Sequence, residues 1–201
     1  MRPLDLHQEH PQYFRALPQP EFIHLDKGKF IAIDGNGSSS SDMVMTSRIK
    51  ALYPVASRIR RYYKEHGRDF IVPQLESEWW SSSREPINKI PKQERQWKLM
   101  IRVPDFVEAE VVEQAKKDAI IHDRVTAALW VRLETESPHD AVQMLHLGPW
   151  SREGDTVKVI RRYIKQKNLV LDGHQHEVYL SDPQHTDPAR LRTIIRQSVV
   201  N

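Results

Sequence analysis

Two glutamates stand among aromatic residues in stretches that read as β-strand: Glu76 in PQLESEWW and Glu177 in HQHEVYLSD. Side chains alternate along a strand, so Glu177 and Tyr179 share one face while Val178 and Leu180 share the other. The apolar pair is expected to pack on helices, which turns Glu177 and Tyr179 toward the open face of a sheet. By the same rule Glu76, Glu78 and Trp80 share a face, opposite Leu75 and Trp79. A carboxylate beside flat rings suits a planar or cationic organic ligand. The rings supply stacking area, and the acid supplies a countercharge or a proton acceptor. The plainer reading is that both glutamates are ordinary exposed strand residues and that the tryptophans Trp79, Trp80, Trp97, Trp130 and Trp150 are mostly core. Trp79-Trp80 resists it, because adjacent strand residues point to opposite faces and one ring must leave the helix-facing core. Trp150 follows Gly148-Pro149 and is placed to sit on a rim.

Other chemistries find little support. His174 and His176 share a face, but Glu177 lies on the other, and with His185 they match no strong zinc spacing, so no metal is expected. Ser38–Ser41 lack a GxSxG context for a nucleophile. Gly35-Asn36-Gly37 is not followed by the GK[ST] of a phosphate loop, and no cofactor is expected. The chain has no cysteine, which excludes a disulfide framework, a thiol nucleophile and a thiolate zinc site.

Over 201 residues, 39% are hydrophobic and 28% charged, which suits one globular fold. No apolar run approaches the roughly 20 residues of a membrane helix, and MRPLDLHQEH has no apolar signal core. A cytoplasmic location fits this composition best, with no membrane partner. The net charge is +3, with basic residues gathered in RIRRYYKEHGR and KVIRRYIKQK. These read as solvated faces of two amphipathic helices in preference to a nucleic-acid surface, so no specific nucleic-acid partner is expected.

The elements that would position the acids occur twice. Ile59-Arg60-Arg61-Tyr62 returns as Ile160-Arg161-Arg162-Tyr163, an offset of 101. The same offset carries Gln74 onto Gln175 and Glu76 onto Glu177. Copies of a duplicated fold pack about a pseudo-twofold axis, so the two glutamates are expected at equivalent strand positions, facing each other across a central groove. Apolar positions 45, 49, 52, 56, 59 and 63 have helical spacing, with a kink or a restart at Pro54. Strands are predicted over Glu21–Asp34, Asp69–Trp80, Gln96–Val103, Leu129–Thr135, Ala141–Leu147, Glu177–Leu180 and Thr193–Val199. Further helices are predicted over Phe106–Ile120, with Asp105 as N-cap, and over Glu153–Lys167. Residues 81–95 read as a polar loop. The chain thus divides into an N-terminal arm (1–20) and one domain (21–201). In that domain strand–helix–strand–strand repeats at about 22–103 and 141–199 flank an insertion, 104–140. The fold class is α+β, one curved antiparallel sheet with helices on one face.

With these segments in place, the chain resembles the GyrI-like small-molecule-binding family. KFIAIDGNG (29–37), ALYPV (51–55), VPQLESEWW (72–80), WKLMIRVPDF (97–106), QMLHLGPW (143–150), HEVYLSDP (176–183) and ARLRTIIRQSV (189–199) carry the resemblance. It implies a pocket between tandem modules with an acid at its centre, matched by Glu177. It also places Tyr53, Phe106, His146 and Trp150, with Trp79 and Trp80, as ligand-binding candidates. Some members are effector domains of multidrug-sensing activators fused to a helix-turn-helix, for which residues 1–20 are too few. Stand-alone members with paired tryptophans look like cyclopropanoid cyclopropyl hydrolases, which open the strained ring of DNA-alkylating natural products. That resemblance implies Glu177 as general base, Trp79 or Trp80 stacked on the drug, and Tyr179 as donor to the developing phenolate or as a group orienting Glu177. Glu76 would be a second acid or the like charge that raises the pKa of Glu177. A non-catalytic binding or sensing module remains the alternative.

Overall fold

The computed structural model describes residues 2–37, 43–83 and 85–201. The serine run read as a loop, 38–41, lies outside them. In chain order the elements are α1 (Leu6–Glu9), β1 (Glu21–Leu25), β2 (Gly28–Asn36), α2 (Met43–Glu65), β3 (Leu75–Trp80), β4 (Gln96–Val103), α3 (Ala109–Asp123), β5 (Arg132–Glu136), β6 (His139–Leu147), α4 (Glu153–Gln166), β7 (Val170–Tyr179) and β8 (Arg192–Val200). The architecture is α+β: the strands form one curved antiparallel sheet in the order β1-β6-β8-β7-β3-β4-β2-β5. One repeat supplies β2, β3 and β4, the other β6, β7 and β8, and they meet along the β3–β7 pair. The span Glu21–Asp34, expected as one strand, breaks at Asp26-Lys27. Its two parts lie at opposite ends of the sheet, β1 on β6 and β2 between β4 and β5.

The helix duplication holds in the packing. Val55, Ala56, Ile59 and Tyr63 are buried in α2, and Thr156, Val157, Ile160 and Ile164 are buried at the same offset in α4. Pro54 lies inside the continuous helix α2, not at a restart. The carbonyl it leaves without a helical donor belongs to Lys50, an exposed residue of the helix. Helix α3 starts later than predicted, at Ala109, and Asp105 does not cap it. The Tyr63 hydroxyl accepts from Glu108 N at 3.0 Å and donates to Phe106 O at 2.9 Å, which holds residues 106–108 outside the helix. Asp69–Trp80 shortens to β3, and Leu129-Trp130 falls in a 3₁₀ turn (Thr126–Trp130). Strand β7 runs longer than predicted, through a register irregularity at Gly173, whose φ of 94° suits glycine.

Both faces of the sheet are covered. On one, α2 and α3 pack on Ile31, Ile33, Leu99, Ile101 and Val103, while α4 packs on Val142, Ile195 and Val199. On the other, Leu6, Tyr13 and Phe14 of the N-terminal arm pack on Phe30, Ala32, Met100, Val178 and Ile194. Central strands with both faces covered read as continuous apolar runs, as in KFIAI and LMIRV. The arm therefore corrects the expectation of an open face opposite the helices.

It also corrects the facing of the acids. Val178, expected on the helices, packs beneath the arm, which turns Glu177 and Tyr179 to the helix side. In the β3–β7 ladder Glu76 lies opposite Val178, and Ser77 lies opposite Glu177. Directly opposed residues share a face, so Glu76 and Glu177 point to opposite sides of the sheet. The offset of 101 that relates the helices therefore does not relate the strand faces, since a slip of one residue is enough to exchange them.

Candidate functional site

On the helix side, Glu177 is the centre of a directed hydrogen-bond chain. Gln175 Nε2 donates to its Oε1 at 2.7 Å, and Tyr179 Oη donates to its Oε2 at 2.9 Å. Since Tyr179 gives its proton to the carboxylate, the 2.6 Å contact with Ser77 Oγ is donated by the serine. Trp79 Nε1 in turn donates to Ser77 Oγ at 2.8 Å. The four groups alternate along β3 and β7, so the strand pairing alone brings them together. Each donor points toward Glu177, and such chains strengthen one another in a dry interior. Glu177 is only 4% exposed. Burial pushes its carboxyl above the ordinary range, against the opposing pull of the Gln175 and Tyr179 hydrogen bonds and the His176 charge.

A second acid faces it. Glu153, the first residue of α4, has its carboxyl pushed up to about 10, by burial first and then by the charge of Glu177. Its Oε1 is buried without a hydrogen-bond partner. At neutral pH the pair therefore holds a proton on Glu153 opposite the hydrogen-bonded Glu177. The turn before α4 is fixed by His146, with Nδ1 2.8 Å from Thr156 Oγ1 and Nε2 3.2 Å from Pro149 O. The carbonyl requires the proton on Nε2, so Nδ1 accepts from the threonine. Both nitrogens of His146 are thus engaged in holding the turn. Trp150, in that turn, donates from Nε1 to Thr193 Oγ1 at 3.2 Å and lies 5.4 Å from the Tyr179 ring. Tyr53 of α2 is 41% exposed, and burial pushes its phenol up, with Asp182 in electrostatic reach.

Of the predicted site residues, the structure gathers Glu177, Tyr179, Trp79 and Trp150. Trp80 points to the other face, stacked on His174 at 4.4 Å, with Nε1 donating to Gln96 Oε1 at 2.7 Å. Phe106 packs on Tyr63 at 4.9 Å and Phe70 at 6.3 Å, at the far end of α2. Glu76 sits fully buried beneath the arm. Tyr13 Oη donates to its Oε2 at 2.5 Å, and His176 Nε2 lies 2.7 Å from the same oxygen. The Tyr13 ring lies between the guanidinium groups of Arg102 and Arg196, 4.2 and 4.3 Å from its centroid. Glu76 therefore pins the arm, and the like charge beside Glu177 is Glu153. Sequence reasoning missed Glu153, Ser77 and Gln175 as site groups. Glu153 left a trace: at offset 101 its counterpart is Leu52, a core residue of α2, so an acid occupies a core position of a duplicated helix.

Among the described residues no three His, Asp or Glu side chains are placed to hold a metal ion. A groove of about 440 Å³ lies elsewhere, lined by Met43, Ser47, Arg48, Leu129 and Trp130, with none of the groups around Glu177. No described helix is long and apolar enough to cross a membrane.

No known family model and no curated protein matches the chain. Solved structures do. The chain is similar to an uncharacterized conserved protein from Listeria innocua, with 29% identity over 98% of this chain and 100% of that one, at a TM-score of 0.89. It is similar to a hydrolase from Listeria innocua, with 28% identity over 98% and 100% of the two chains, at a TM-score of 0.85. The C-terminal domain of EcmrR shares the fold, with 13% identity over 91% of this chain and 98% of that domain, at a TM-score of 0.59.

Proposed function

We propose that this chain binds a planar aromatic small molecule on the helix side of the sheet, at Glu177 and beside the start of α4, and hydrolyses it, its substrate class being the cyclopropane-bearing DNA alkylators. The observation that carries the reading is the Glu177–Glu153 pair. Burial raises the Glu177 carboxyl while hydrogen bonds from Gln175 and Tyr179 favour its anion, and burial with the charge of Glu177 raises Glu153 to about 10. Two acids in electrostatic reach of each other, one with donors aimed at its carboxylate and one with no partner for Oε1, suit a general base and a general acid. The hydrolase from Listeria innocua, similar over its whole length, supports a hydrolytic activity, and the resemblance to the GyrI-like family supports the substrate class.

In such a drug the cyclopropane is conjugated to a dienone. Water attacks a ring carbon, and Glu177 takes its proton as the new C–O bond forms. The strained C–C bond breaks, and its electron pair moves through the dienone to leave a phenolate oxygen. Glu153 is the proton donor for that oxygen and is reprotonated by the proton that Glu177 took from the water, so both acids return to their starting states. Trp79 and Trp150 provide stacking area at the sides of the site. The test is incubation with a spirocyclopropyl-dienone alkylator followed by mass analysis. Ring-opened, water-added product in excess of enzyme is expected, and Glu177→Gln is expected to lower its formation by about 10²–10⁴-fold while binding persists.

A second reading is favoured by the same buried carboxylate. Between Trp79, Tyr179 and Trp150 it is a suitable countercharge for an aromatic cation, bound without turnover. In that case the alkylator returns unchanged and Glu177→Gln loses affinity instead.

A further inference from the structure

Glu177 is nearly sealed from solvent, so a ligand that reaches it requires some part of its surroundings to open. Two connections cross from one repeat to the other. The β3–β4 connection leaves the sheet just beyond Trp79 and Trp80, in the first repeat, and lands on α4 of the second. There the Asn88 side chain fills the space over Gly154: a Cβ built on Gly154 would lie 2.2 Å from Asn88 Nδ2 and 3.1 Å from its Cγ. The β7–β8 connection, in the second repeat, brings Asp182 into electrostatic reach of Tyr53 on α2 of the first. Tyr53 and Gly154 are helix counterparts at the offset of 101. The two hairpin connections thus cross to equivalent points. One point carries a large side chain, and the other carries none and is filled from outside by Asn88.

The segment from Glu85 to Arg95 is braced internally. It consists of two short turns, Ile87–Lys89 and Lys92–Glu94, each preceded by a proline, Pro86 and Pro91. Ile90 is buried between them, and Arg95 Nε donates to Ile90 O at 2.9 Å. Gly154 adjoins Glu153, so the seat of Asn88 lies beside the protonated acid of the site. The φ of Gly154 lies outside the left-handed region, so its backbone does not require glycine; what the bare position provides is room for Asn88.

We propose that residues 85–95 form a clasp beside Glu153 of the site, latched by the Asn88 side chain on Gly154, and that opening this latch admits and releases the aromatic ligand. The proposal rests on reading the surroundings of Glu177 as a ligand site, but its latch is testable without turnover. The clasp carries trypsin sites after Lys89 and Lys92. Gly154→Ala pushes Asn88 off its seat while favouring the helix, and Asn88→Ala removes the latch with Gly154 intact. In the free proteins, both variants are expected to be cut after Lys89 and Lys92 about tenfold faster than the parent at unchanged melting temperature. Saturating acridine orange, a planar aromatic cation, is expected to slow the parent's cleavage, and both variants are expected to release the dye faster in stopped flow. Cleavage of both free variants at the parent's rate overturns the clasp. Failure of the dye to bind the parent counts against the ligand site instead, and leaves the comparison of free proteins to decide the latch.

Discussion

At the scale of the residue, the chemistry turns on where one proton sits. Glu177 must be ionised to act as a base, and its carboxyl is raised by burial. Hydrolysis is therefore expected to fall as the pH drops toward that raised value. Glu153 must be protonated to act as an acid, and its carboxyl is raised to about 10. The rate is expected to fall again as the pH approaches that value. A pH profile of kcat measured on the alkylator checks both limbs, and Glu153→Gln is expected to lower kcat and remove the alkaline limb. The same shift bears on stability. Between the unfolded value of 4.5 and about 10, the folded state keeps a proton on Glu153 that the unfolded chain has released. Stability from this group is therefore full below the unfolded value and is lost as the pH rises through that window. Glu153→Gln, which needs no proton, is expected to be more stable than the parent at pH 8 by about 1–3 kcal/mol and nearly equal to it at pH 4, as read by urea denaturation.

At the scale of the element, the N-terminal arm does what the sequence reading assigned to solvent. Its tyrosine closes one face of the sheet, with the ring between two guanidinium groups and the hydroxyl on Glu76. Burial, then the charge of Glu76, pushes the Tyr13 phenol well above its ordinary value, so it stays a donor at any ordinary pH. Tyr13→Phe keeps the packing and leaves the buried Glu76 Oε2 with His176 as its remaining partner, so a loss of about 1 kcal/mol is expected in chemical denaturation. Tyr13→Ala also empties a ring-sized space and is expected to cost about 3–5 kcal/mol. Neither lies on the Glu177 face, so turnover by the folded fraction is expected to stay close to the parent's. Strand and helix identities were legible here because periodicity is local: α2 and α4 announced themselves by their buried stripes. The covered face was not. A polar, proline-bearing arm carries no periodic signal, and Val178 under an arm looks in sequence like Val178 under a helix.

At the scale of the whole molecule, the duplication was legible and its consequence was not. An offset taken from the helices says nothing about a connection one residue longer or shorter, yet that residue decides which face a strand side chain takes. The pairing of Ser77 with Glu177 came from the ladder, and the acid in electrostatic reach of Glu177 is Glu153 instead of Glu76. The repeats have diverged in role. On the helix side the first is packed with Leu52, Leu99, Ile101 and Trp97, while the second presents Gln175, Glu177, Tyr179, Thr193 and Gln197. Leu52 and Glu153 mark that division, because they are one helix position filled in two ways. Glu153→Leu is expected to copy the packed half into the polar one. It removes a buried acid without a partner for Oε1 and adds apolar contact, so the melting temperature is expected to rise while alkylator hydrolysis falls by at least about tenfold. Leu52→Glu runs the other way, placing an acid in the apolar core that Leu52 shares with Ile33, Val55 and Leu99, and is expected to cost about 3–5 kcal/mol or to prevent folding. Measured together by calorimetry and product mass, the two variants distinguish a site that the fold tolerates for its chemistry from an acid that belongs to the packing. If Glu153→Leu gained stability and kept full turnover, Glu153 would leave the mechanism and Tyr179 would remain as the donor beside Glu177.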